Sequence, residues 1–179
     1  MTEALRHPPA DGTLRLEPLA EAHRAALAAA CAEDADIWAI YSLSYDPAHF
    51  DASFTALLAN PRYVAFAILS DDRLVGMTAY LAPDRARGVV EIGMSYIVPS
   101  LRGTGFNGRL KRLMIGHAFA CGYRRIEFRI DVRNARSQAA VAKLGALREG
   151  VMRQDRVTWT GHVRDTALFA ILKDEWRLA

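Results

Sequence analysis

The sequence predicts a single α/β domain of the α+β kind: a seven-stranded mixed sheet, mostly antiparallel, with one central parallel β-α-β crossover and flanking helices. Segments of period-two alternation recur along the chain, and segments of helical periodicity lie between them. Hairpin-like turns join strands on either side of one strand–helix–strand unit, which closes as a right-handed parallel crossover. The length of 179 residues and a hydrophobic content of 51% suit one domain with an ordinary core and no need for a disulfide or metal staple.

Residues 1–12 are rich in Pro and Ala and read as a loose N-terminal arm, leaving 13–176 as the domain. Thr13 to Glu17 alternates as a first strand, and Ala20 to Ala32 is Ala- and Leu-rich with spaced charges, a helix. The stretch 36–60 is mixed and aromatic, with Asp51 expected to cap a helix running to Ala59. Tyr63 to Leu69 and Leu74 to Leu81 form a hairpin around a polar turn. Val89 to Val98 is the next strand. Strict alternation puts Val90, Ile92, Met94, Tyr96 and Val98 on one face, and Val89, Glu91, Gly93, Ser95 and Ile97 on the other. Pro99 stops it. Phe106 to Cys121 is an amphipathic helix ended by Gly122, and Arg125 to Val132 alternates beside strand 89–98. A short helix from Asn134 or Ala135 to Leu144 follows. Segments 147–159 and 163–172 pair around Thr160-Gly161-His162.

Composition excludes several classes. No apolar run approaches the roughly 18 residues needed to span a bilayer, and the N-terminus has no signal-like apolar core, so the expectation is a cytoplasmic protein with no membrane partner. Net charge is +3, from 23 Lys and Arg against 20 Asp and Glu, too evenly spread for a nucleic-acid-binding face. Cys31 and Cys121 lie far apart, and the five histidines form no cluster, so the reading is two thiols in a reducing compartment and no metal.

The most informative stretch is Val98-Pro99-Ser100-Leu101-Arg102-Gly103-Thr104-Gly105-Phe106-Asn107-Gly108, between a strand and an amphipathic helix. Glycines there allow close backbone approach, and the helix start offers N–H groups and partial positive charge to a diphosphate. Arg102 adds a cation. No Gly-Lys-Ser/Thr follows, so this is not a Walker A loop. A dinucleotide fingerprint belongs after a first strand, and this strand lies mid-chain.

The run Glu91 to Asn107 resembles the fourth strand and pyrophosphate loop of the GNAT superfamily of acyl-CoA N-acyltransferases, whose pattern is Arg/Gln-x-x-Gly-x-Gly/Ala. Here it reads Arg102-x-x-Gly105-x-Asn107, departing at the last position. Asp131 to Ser137, Lys143 to Ala146 and the tail Arg164 to Trp176 are similar to the branch of ribosomal-protein N-terminal-amine acetyltransferases. The resemblance covers residues 13–176 and implies an N-acetyltransferase that uses acetyl-CoA on a primary amine, by direct attack in a ternary complex.

It also implies roles. Backbone from Arg102 through Gly103, Thr104, Gly105 and Phe106 to Asn107 would hold the pyrophosphate, and that of Tyr96, Ile97 and Val98 the pantetheine arm. The Tyr that many relatives use to protonate the thiolate falls on Val141 here. Ser137, three residues after Asn134 as in the ribosomal branch, is the candidate donor, with Asn134 on the pantetheine. For the base, Glu91 leads and Asp155 is weaker, while Asp165 is expected to pair with an Arg. Trp38, Tyr41, Tyr45 and Phe50 could wall an acceptor pocket, and Asp34, Asp36 and Asp46 could draw a cationic amine. The C-terminal hairpin suggests a homodimer. The alternative function is a non-catalytic acyl-CoA-binding or sensor domain of the same fold.

Overall fold

A computed structural model describes residues 3–176. The expected architecture is present. Strands β1 (Leu14–Pro18), β2 (Tyr63–Ser70), β3 (Arg73–Asp84), β4 (Val89–Ile97), β5 (Arg125–Asp131), β6 (Leu147–Val157) and β7 (Val163–Leu172) form one sheet in the order β1-β2-β3-β4-β5-β7-β6. The helices are α1 (Arg24–Ala32), α2 (Phe50–Ala59), α3 (Phe106–Ala120) and α4 (Ala135–Ala142). Every neighbouring pair is antiparallel except β4–β5, which α3 joins as a crossover. No helix among the described residues is long and apolar enough to cross a membrane.

Apolar side chains fill both faces of the sheet. On one face Tyr80 donates its hydroxyl to Met114 O of α3 at 2.7 Å. On the other Tyr96 donates to Ala30 O of α1 at 2.7 Å, and Trp38 stacks on Tyr96 with ring centroids 4.8 Å apart. These two buried hydroxyls keep hydrogen-bond partners, so Tyr80 and Tyr96 are placed without orphaned polar atoms.

Three local expectations are corrected. The arm is not loose over residues 3–12. Leu5 is fully buried, and Ala4 O faces His117 Nε2 at 3.0 Å, so an apolar plug anchors it; Met1 and Thr2 lie outside the described residues. Asp51 lies in the first turn of α2 and does not cap it. The N-cap position is His49, with no side-chain cap bond, and Asp46 instead closes the turn before the helix, its Oδ1 accepting from the N–H groups of Ala48 and His49 at 2.9 and 3.0 Å.

The third correction concerns β4. Ala79 pairs with Gly93 but Met77 with Tyr96, so β4 carries one extra residue, and Met94 sits at φ 51°. This is a β-bulge. Ile92, opposite Tyr80, therefore shares the α3 face, while Tyr96 faces α1. Strict alternation placed Met94 and Tyr96 with Val90 and Ile92; the inserted residue reverses the facing beyond Gly93.

Candidate active site

The β4–β5 pairing runs only from Val89↔Arg125 to Glu91↔Glu127. Beyond it the bulged β4 diverges from β5, and a cavity of about 950 Å³ opens between them. Glu91, Gly93, Met94 and Ser95 of β4, Phe128 to Asp131 of β5, the 102–108 loop and the start of α4 line it.

At the loop, Gly103 and Gly105 have φ of 81° and 88°, a region that only glycine enters readily. The turn points successive N–H groups outward. Those of Gly103, Thr104, Gly105, Asn107 and Gly108 find no protein acceptor among the described residues, and that of Phe106 meets only Thr104 Oγ1 at 3.4 Å. A Cβ at Gly103 or Gly105 would meet no protein atom within 4 Å, so the space before these donors is open. Arg112, Arg136 and Lys143, on or beside α3 and α4, line the same cavity. Free N–H groups, a helix start and three cations fit a pyrophosphate with its further phosphate.

Arg102 serves the loop differently from the expectation. Its guanidinium ion-pairs with Asp34, and its Nε donates to Ile97 O at 2.9 Å, so it clamps the loop from behind. The backbone expected to carry a pantetheine arm is partly committed as well. Val98 N–H donates to Val75 O at 2.9 Å, and Ile97 O accepts from Arg102 Nε.

Glu91 is the carboxylate at the point of divergence. Burial pushes it up to about 7, against the pull of Arg129, whose Nε lies 3.6 Å away. A carboxyl poised near neutrality suits a general base. Asp155 does not compete. Burial alone would raise it, but hydrogen bonds from Arg156 and Thr166 hold it below the ordinary range. Asp165 pairs with no Arg among the described residues; it accepts the Gln154 N–H at 2.7 Å. Asn134 caps α4, its Oδ1 accepting Ser137 N–H at 3.0 Å. Both residues line the cavity, and the Ser137 hydroxyl bonds no protein atom among the described residues.

On the acceptor side Tyr41 and Tyr45 line the cavity, with the Tyr45 hydroxyl buried and without a partner. Trp38 does not line it. It is fully buried, its indole N–H donating to Cys31 O at 3.3 Å, and it packs against Tyr41 and Tyr45 from the core side. Phe50 is likewise core. Asp34 pairs with Arg102 and Asp46 closes the turn before α2, and neither they nor Asp36 line the cavity.

One residue escaped the sequence reading. Lys111 of α3 is only 6% exposed, lines the cavity and donates to Ser95 Oγ beside the bulge, with no carboxylate in ion-pair reach among the described residues. Burial pushes it down to about 7. Between pH 7 and 10.5 the unfolded chain therefore binds more protons here than the folded one, and stability rises with pH through that window. A Lys111→Met variant is expected to melt several degrees above the parent at pH 6, at about 2–4 °C per kcal/mol for this size. The advantage shrinks as pH rises toward 10. Paired thermal melts check this, and a pH-independent difference would refute the buried charge.

Comparison with known proteins now bears on this geometry. The family model described as acetyltransferase (GNAT) domain matches residues 13–147. A structure described as a probable GNAT-family acetyltransferase from Chromobacterium violaceum ATCC 12472 is 31% identical, covering 96% of this chain and 88% of its own, with a TM-score of 0.87. A GCN5-related N-acetyltransferase from Brucella melitensis is 28% identical over 96% of this chain and 80% of its own, TM-score 0.87. A ribosomal L7/L12 alpha-N-protein acetyltransferase in complex with coenzyme A is 21% identical over 93% of this chain and 98% of its own, TM-score 0.79, and shows the fold alone. No curated protein sequence matches.

Proposed function

Since the chain belongs to the GNAT acetyltransferase family, we propose that it moves an acetyl group from acetyl-CoA to a primary amine by direct attack with both substrates bound. The observation that carries this reading is the divergence of β4 from β5, with free N–H donors at one end of the gap and the raised Glu91 carboxyl at the other. The 103–108 backbone, Arg112, Arg136 and Lys143 would hold the phosphates. Acetyl-CoA supplies a thioester carbonyl whose carbon accepts the amine.

A lysine-type ammonium has a pKa near 10.4, so the nucleophile must first lose a proton, and Glu91 accepts it. The bulge leaves part of the β4 backbone without β3 partners, and an N–H there can stabilise the oxyanion as the carbonyl turns tetrahedral. Ser137 donates a proton to the departing sulfur. The Asn134 carbonyl fixes the first turn of α4, which leaves its amide N–H groups for the pantetheine.

A panel of primary amines assayed with acetyl-CoA for free thiol and for acetylated product tests the reading. Amine-dependent thiol release with matching product is expected. Coenzyme A binding without turnover of any amine would overturn it in favour of an acyl-CoA-binding sensor.

A further inference from the structure

We propose that the acceptor is an amine that also carries a carboxylate, and that Arg129, Arg156 and Arg164 recognise that carboxylate on the face of the sheet opposite α3. This rests on the acetyl-transfer reading and names its acceptor class.

The cavity wall is lopsided. Eight Arg and Lys side chains line it against two carboxylates, Glu91 and Asp131. Asp34 and Asp155 are the ion-pair partners of Arg102 and Arg156, and neither lines the cavity while their arginines do; Arg129 pairs with Glu127 behind the wall and with Glu91 on it. Asp131 is already held by Arg133 at 2.8 Å. Apart from Glu91, the wall thus presents these cations with their counter-charges behind them. Arg112, Arg136 and Lys143 belong with the phosphates at the helices. The strand arginines are left over.

Arg164 of β7 is 5% exposed and has no carboxylate in ion-pair reach among the described residues. Two hydrogen bonds, to Ser42 Oγ at 2.7 Å and Arg129 O at 2.9 Å, serve its five N–H donors, and its buried Nε has no partner. Its direct cross-strand partner is Arg156. Like charges facing each other across strands are destabilising, and a buried charge without a counter-ion is more so. A bound anion relieves both. Arg156 and Arg129, with side chains 40% and 37% exposed, are accessible for direct contact, and guanidinium groups match carboxylates in a planar, two-pronged geometry. Glu91 lies 3.6 Å from Arg129, so an anion held here sets its own amine beside the base. A polycationic amine would meet repulsion, because Asp34, Asp36 and Asp46 are not at the cavity.

The test compares matched amines with acetyl-CoA: free amino acids against their carboxamides, dipeptides with an acidic second residue against their neutral analogues, and spermidine. The acid of each pair is expected to exceed the neutral form in kcat/KM by about 10-fold or more, the scale of one charge-assisted hydrogen bond. The two acid arms distinguish a free amino acid from a peptide terminus. In Arg156→Gln, and in Arg164→Gln if it folds, the preference should fall within twofold; a merely structural role would depress acid and amide alike. Equal or better use of amides or spermidine, or a preference that survives Arg156→Gln, would overturn the proposal. If no amine is turned over, the same pairs are titrated calorimetrically into the protein–coenzyme A complex. Tighter binding of the acids then supports the subsite while acetyl transfer fails, and indifference refutes the subsite.

Discussion

Glu91→Gln is expected to lower kcat/KM for amine acetylation by about 10²–10⁴-fold, the usual contribution of a positioned general base. The parent should show a limb that rises with pH and bends near 7, because the carboxyl must lose its proton before it can accept one. The variant should lack that limb. The same group leaves a mark on stability. Its folded pKa is raised above the unfolded 4.5, so between about pH 4.5 and 7 the folded state binds more protons, and stability falls as pH rises through that window. Glutamine removes this slope. Rate–pH profiles of both proteins, with melts across the same range, check the two halves. A variant within threefold of the parent that keeps the limb would dismiss Glu91 as the base.

The second large effect concerns the loop. Gly105→Val is expected to weaken acetyl-CoA binding by about 100-fold, the loss of one or two hydrogen bonds to charged oxygens. The Gly105 φ of 88° costs an L-residue roughly 1–2 kcal/mol, and a β-branched one resists it further. The added carbons would enter the open space before the N–H groups. Titration calorimetry reads the affinity. Unchanged binding by a folded variant would remove the loop from the phosphate site.

Much of this was legible in the chain itself. A strongly apolar run marked 63–69 and a polar turn tied it to 74–81, alternation marked 125–132, and the turn around Thr160-Gly161-His162 marked a hairpin. The crossover followed from connectivity, and the glycine loop from its place before a helix. The bulge was hidden. Met94 occupies positive φ with no turn-forming residue type to announce it, and strict alternation carried the facing one residue too far. Lys111 is buried among apolar helix positions, and the Ser95 hydroxyl that receives it stands on a strand beside the bulge, so a helical wheel alone could not reveal it. Trp38 had the composition of a pocket wall, yet its position against Tyr96 was a tertiary matter. The ion pairs that withdraw Asp34 and Arg102 from the site join residues far apart in sequence, which no local pattern reports.

The seam between β4 and β5 is stitched by residues 89–91 and 125–127 and unstitched beyond them, which gives the wedge a direction. Whatever enters from the glycine loop travels against the polarity of both strands and reaches a floor at the last rung, where Glu91 stands. From that rung to the loop is about 20 Å of extended chain at roughly 3.3 Å per residue, so the protein gauges its guest by reach along a ruled edge.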